Sequence, residues 1–202
     1  IDYLEGDMRN NYMKANYLRA HQLVSAGSYR LAVQCLKVAA YYSDKGSRFN
    51  QLSRYWIAES YYRNDQYQQA RELYTELYNQ SALYRQPESY LIPYNIAYCF
   101  YKEGDYDAAE KWFSVYLDGS VTDYRKDALE RVGDCHFVRK EYKSAAETYD
   151  VVVRDFYNVN DIYPYYQAAL SYGLSRNSER KVKLLTNALS ADPTSRFYPE
   201  AL

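Results

Sequence analysis

Asp134, Cys135 and His136 stand in a row: a carboxylate, a thiol and an imidazole, the group types that together make a nucleophilic site. Adjacency defeats that reading, because consecutive residues of a helix point in different directions and cannot converge on one substrate atom. His21 and His136 lie far apart, and neither has a second His, a Cys or a paired carboxylate at metal-ligand spacing. His136 therefore reads as a packed histidine rather than a ligand. The sequence also lacks a glycine-rich phosphate loop, a GxSxG elbow and an HExxH pair. No catalytic, cofactor or metal residue is assigned, and the chain reads as non-enzymatic. Cys35, Cys99 and Cys135 are odd in number, contain no CxxC pair and fall beside apolar helical positions, which predicts buried free thiols. Their scarcity suits a reducing compartment without excluding an oxidising one.

The chemistry that remains is that of 28 tyrosines in 202 residues, each a large apolar ring with a polar tip. The elements that position them are organised around Arg54–Leu77. Ile57, Ala58, Tyr61 and Tyr62 recur at helical spacing, Tyr67, Ala70, Tyr74 and Leu77 do so again, and Asn64-Asp65-Gln66 interrupts between them. Ala58 and Ala70 sit where two helices of a hairpin cross, and their small side chains let the backbones approach while tyrosines fill the surrounding space. The same pairing recurs as Ala20 with Ala32, Ala97 with Ala109, Gly133 with Ala145, and Ala169 with Lys181. Four residues after the second small position come Leu36, Tyr74, Phe113, Tyr149 and Leu185. The repeat is about 36 residues, the signature of stacked hairpins.

Local signals refine this pattern. Ser28 is expected to cap its helix through its side chain, Gly104-Asp105 to stop one helix and cap the next, and Pro93 to lie in a first turn. Residues 1–11 read as the tail of an earlier hairpin or a frayed lead-in, and residues 79–89, with Pro87, as the longest and most mobile joint.

Small-xx-large in each first helix, Tyr-small-aromatic offsets in each second helix, and Ala191-Asp192-Pro193 closing the fifth unit together resemble the tetratricopeptide repeat over residues 13–195. The resemblance implies an all-α, right-handed superhelix of about five helical hairpins. Its units are 13–46, 51–84, 90–123, 126–159 and 162–195, with a partial sixth at 196–202, in one solenoid over 1–202 that reads as a fragment of a longer protein. Within it, YWIAESYY followed by Tyr67, Ala70 and Tyr74 resembles bacterial envelope repeat proteins of the Tol-Pal coordinator and outer-membrane assembly lipoprotein kind. That likeness implies a periplasmic or envelope setting, and a cytoplasmic one stays open.

The family resemblance also implies a concave groove lined by first helices, here by Tyr17, His21, Tyr55, Glu59, Tyr62, Arg63, Tyr94, Tyr98, Tyr101, Lys102, Glu130, Asp134, Tyr166 and Leu170. A protein or peptide partner is the expected occupant, with Glu130 and Asp134 as an acidic end favouring a basic segment. Self-association through the terminal repeats is a further expectation. Two alternatives stand beside the groove reading: a spacer repeat within a larger protein, and an accessory domain of an enzyme lying outside these residues. A formal net charge of −1, from 25 basic and 26 acidic residues, argues against nucleic acid or an anionic membrane surface as main partner. No apolar run approaches the roughly 20 residues of a membrane span.

Overall fold

Small residues at the crossings and turns between them dictate a series of helical hairpins, and the computed structural model contains that series. It describes residues 6–80, 86–156 and 161–191. Among these are ten helices and no strand: α1 (Gly6–Ser25), α2 (Tyr29–Tyr42), α3 (Arg48–Arg63), α4 (Tyr67–Asn79), α5 (Pro87–Glu103), α6 (Tyr106–Leu117), α7 (Arg125–Val138), α8 (Tyr142–Asp155), α9 (Tyr163–Leu174) and α10 (Ser178–Ala191). They form two compact units divided between Gly104 and Asp105. In the first unit α1 to α5 pack each on the next in chain order, and in the second α6 to α10 do the same.

The crossing residues carry the packing. Ala20, Ala32, Ala58, Ala70, Ala97, Ala109, Ala145 and Ala169 are all fully buried, as are Leu36, Tyr74, Phe113 and Tyr149 beside them. At Gly133 even a methyl group is too large, since an added Cβ would stand 2.8 Å from two ring carbons of Tyr149. The fifth hairpin inverts the volumes. Lys181 is exposed where the other second helices have alanine, and its Cδ lies 2.9 Å from the place a Cβ on Gly173 would take. A glycine on α9 thus makes room for the lysine stem on α10. The buried leucine of α10 is Leu184 rather than the expected Leu185, which is only partly covered.

Turns obey one rule that the sequence shows only in part. Gly27, Asp65, Gly104, Lys140 and Arg176, each seven residues after the first small position, all have positive φ, between 57° and 82°. Glycine adopts this left-handed conformation without penalty, whereas Asp65, Lys140 and Arg176 are held in it by their hairpins. After Gly104, Asp105 accepts from the Ala108 amide at 3.1 Å, as expected of a cap. Ser28 does not: its backbone (φ −89°, ψ 58°) lies outside the extended region, and its side chain makes no capping bond. Ser47 caps α3 instead, accepting from the Asn50 amide at 3.3 Å.

Two proline assignments are corrected. Pro87 opens α5 at the position where a missing N–H is harmless, and Pro93 sits buried inside the same helix, not in its first turn. Pro93 therefore removes one interior helix bond, to the Ser89 carbonyl. The expected mobile joint at 79–89 is shorter than read, because 87–89 are helical; residues 81–85 lie outside the described residues. Residues 6–11 belong to α1, while 1–5 and the sixth-unit residues 196–202 also lie outside them. Cys99 and Cys135 are buried and their thiols are pushed up to about 12 by burial. Cys35 is only half-buried, contrary to expectation.

Gly133→Ala tests the crossing. Alanine favours a helix over glycine by about 1 kcal/mol, but overpacking against a ring that cannot retreat costs about 1–3 kcal/mol. The substitution should lower the urea midpoint, and a raised midpoint would show that Tyr149 does not press on this position.

Candidate functional site

Tyr74 of α4 and Tyr149 of α8 are fully buried, which leaves each hydroxyl inside the protein in need of an acceptor. The residue following the small one supplies it. Tyr74 Oη donates to Glu59 Oε2 at 2.8 Å, and Tyr149 Oη donates to Asp134 Oδ1, a repeat-equivalent pair 15 residues apart in both hairpins. Where the second helix has Leu36 or Phe113, which lack a hydroxyl, the acceptor position holds His21 or Tyr98 rather than an acid. Burial and then the facing carboxylate drive both tyrosine pKa values upward.

This assigns several expected groove charges to the interior. Asp134 also accepts from Tyr163 Oη at 2.6 Å and from the Arg131 guanidinium, so it joins α7, α8 and α9 rather than facing a ligand. Glu130 is 9% exposed, and burial raises its carboxyl pKa against the pull of Lys126. Its carboxylate lies 3.5 Å from both Lys126 and Arg131, and Lys126 pairs in turn with Asp161. The acidic end expected for a basic ligand segment is therefore internally neutralised. Glu59, half-buried, holds Arg63 Nε at 2.7 Å besides Tyr74.

Tyr55 is also corrected. It is 5% exposed, packs edge-on against Tyr74 at 5.6 Å between ring centroids, and accepts from Asn95 Nδ2 of α5 at 3.1 Å. It belongs to the seam between α3 and α5. Tyr17 is half-buried, edge-on to His21 at 4.6 Å and to Phe49 at 5.5 Å, while His21 meets Trp56 at 4.6 Å. These rings join α1 to α3. Desolvation lowers the His21 pKa and is the largest cause raising that of Tyr17.

Tyr94, Tyr98 and Tyr101 stand out differently. They follow one another along one face of α5 at i, i+4 and i+7, all half-buried, with edge-on centroid spacings of 4.9 and 6.1 Å. Lys102 beside them is exposed. On α3, Tyr62 is half-exposed and edge-on to Tyr67 at 5.5 Å, with Arg63 exposed beside it. In the second unit Tyr166 and Leu170 are half-buried on α9.

The reading of His136 as lacking paired carboxylates is overturned. Folding brings Glu110 of α6 and Glu141 at the start of α8 to it, and Arg139 lies among all three. Helical spacing within α7 gave no sign of this, because Glu110 comes from another hairpin and Glu141 from across the turn. Among the described residues no helix is long and apolar enough to cross a membrane.

The succession of helical hairpins is similar to that of tetratricopeptide-repeat structures, and the family model of that description matches residues 57–124. No curated protein matches the chain. Among solved structures, a tetratricopeptide repeat protein from Parabacteroides merdae is similar with a TM-score of 0.75 and 17% identity, over 95% of this chain and 71% of that one. MamA from Desulfovibrio magneticus follows the fold with a TM-score of 0.73 and 14% identity, over 96% and 99% of the two chains. YrrB, described as a repeat protein with an unusual peptide-binding site, has a TM-score of 0.69 and 16% identity, over 92% and 89%.

An alkaline titration follows from the tyrosine environments. Raised folded-state pKa values mean that the stability held by Tyr74 and Tyr149 is fully present below the unfolded value of about 10 and is lost as pH rises through the folded values. Tyrosinate absorbance should show these two rings ionising only together with loss of helical dichroism. Smooth ionisation of every tyrosine with the helices intact would contradict their placement.

Proposed function

We propose that the chain is a non-catalytic scaffold that holds a peptide or helix of a protein partner against the tyrosine face of α5. The observation that supports this is the row Tyr94, Tyr98 and Tyr101 along one face of α5, which is only half-buried while rings at Tyr55, Tyr74 and Tyr149 are buried. Tyrosine gives large contact area at low rotamer cost and carries a polar tip, and such residues dominate binding when a partner covers them. Tyr62 and Arg63 of α3, and Lys102, extend the reading as flanking contacts in the first unit. In the second unit, Tyr166 and Leu170 on α9 are the expected groove residues outside the ion-pair network of α7.

The peptide-binding site described for YrrB supports the same class of partner, since the two folds are alike. The resemblance of the second hairpin to bacterial envelope repeat proteins supports an envelope setting for that partner. The expectation of a basic ligand segment is withdrawn, because Glu130 and Asp134 are neutralised by Lys126 and Arg131.

Selection of displayed peptides on the intact chain separates a scaffold from a passive spacer. Peptides selected by this face should lose on the order of 2 kcal/mol when Tyr98 is replaced by alanine, the size of an interface hot spot. Replacing Tyr41, which is 70% exposed on α2, should leave them unaffected. Failure to select any peptide sensitive to Tyr94, Tyr98 or Tyr101 would sink the proposal.

A further inference from the structure

The cluster around His136 lies in the second unit, where α6, the end of α7 and the start of α8 meet. Glu110, His136 and Glu141 each bring one ligand-type atom to within 4.8 Å of the others. A single nitrogen, Nη2 of Arg139, stands at their common focus, 3.0 Å from His136 Nδ1, 2.7 Å from Glu141 Oε2 and bonded to Glu110 Oε2. We propose that this cluster is a binding site for a divalent first-row metal ion, Zn2+ foremost, held by Glu110, His136 and Glu141, with the Arg139 guanidinium as its displaceable internal occupant.

Three features carry the inference. The donor set comes first: one imidazole with two carboxylates suits Zn2+, which takes nitrogen and oxygen at about 2.0–2.2 Å, and does not suit Mg2+ or Ca2+, which require oxygen shells. Contraction from the observed separations falls mainly on Glu141, whose side chain is 46% exposed. The second feature is rigidity. Lys140 takes the left-handed conformation and the Glu141 amide donates to the His136 carbonyl at 2.9 Å, so the turn fixes two of the three donors relative to each other.

The third feature is an exit for the arginine. Its Nη1 already donates to Asp107 Oδ1 at 2.9 Å and to the Tyr106 carbonyl at 3.3 Å, and Asp107 is 76% exposed. Pivoting about that end withdraws Nη2 from the focus while the arginine keeps a carboxylate partner. Charge then balances, with two carboxylates around a dication and Arg139 paired with Asp107. A point where an imidazole nitrogen and two carboxylates converge on one positive charge is better matched by a compact ion carrying two. The bound ion would clip α6 to the α7–α8 turn, joining neighbouring hairpins within this unit.

The test uses the full chain, free of any affinity tag, titrated with ZnCl2 by calorimetry and by thermal melting, with MgCl2 as control. One Zn2+ per chain should bind and raise the melting temperature, and Mg2+ should do neither. His136→Gln should weaken Zn2+ binding by at least about tenfold, the scale of losing a group at a metal site. Arg139→Gln should bind Zn2+ more tightly than the parent although its metal-free form melts lower, because the competing cation is gone. A merely structural arginine would give the lower melt without the tighter binding. Absence of Zn2+ binding in the parent, equal binding by His136→Gln, or unchanged or weaker binding by Arg139→Gln would each overturn the proposal.

Discussion

A buried tyrosine hydroxyl that must find an acceptor is the constraint on which hairpins two and four depend. In hairpin four the ring lies against Gly133, and in both hairpins the hydroxyl reaches a carboxylate on the residue that follows the small one, Glu59 after Ala58 and Asp134 after Gly133. An unsatisfied hydroxyl or carboxylate in that position would carry a desolvation penalty of about 1–3 kcal/mol or more. Small residue, acid and tyrosine thus function as one unit of three, spread over both helices. Hairpin one replaces the tyrosine with Leu36 and hairpin three with Phe113, and both dispense with the acid.

That constraint decides which polar residues are left for a partner. Asp134 ties Tyr149, Tyr163 and Arg131 together, and Glu130 is enclosed by Lys126 and Arg131, so the α7 face is occupied with its own charge balance. On α5 the position that holds an acid in hairpins two and four is Tyr98. With Tyr94 and Tyr101 it makes a half-buried aromatic row.

The sequence made the hairpins legible because Ala, Gly and aromatic residues recur in phase, and packing geometry leaves little freedom at a crossing. The left-handed turn residue was legible only at Gly27 and Gly104; Asp65, Lys140 and Arg176 adopt the same conformation under tertiary constraint, with no residue signal to mark it. Pro93 misled because proline commonly opens helices, and the true opening belonged to Pro87, six residues earlier. Groove positions were assigned from the family resemblance, which tells which side a residue faces but not whether a neighbouring hairpin covers it. Tyr55, Glu130 and Asp134 all fail on that point. The gathering of Glu110, Arg139 and Glu141 about His136 lies beyond any local pattern, since it draws on two hairpins at once.

The coupling between a buried tyrosine and its acid is measurable directly with a double-mutant cycle on Glu59→Ala and Tyr74→Phe, read by urea unfolding. If the hydroxyl and carboxylate satisfy each other, the double variant should be less destabilised than the sum of the two single ones, with a coupling of about 1–2 kcal/mol. Single effects that add to within about 0.3 kcal/mol would contradict the account, because they would show the two groups to be independent.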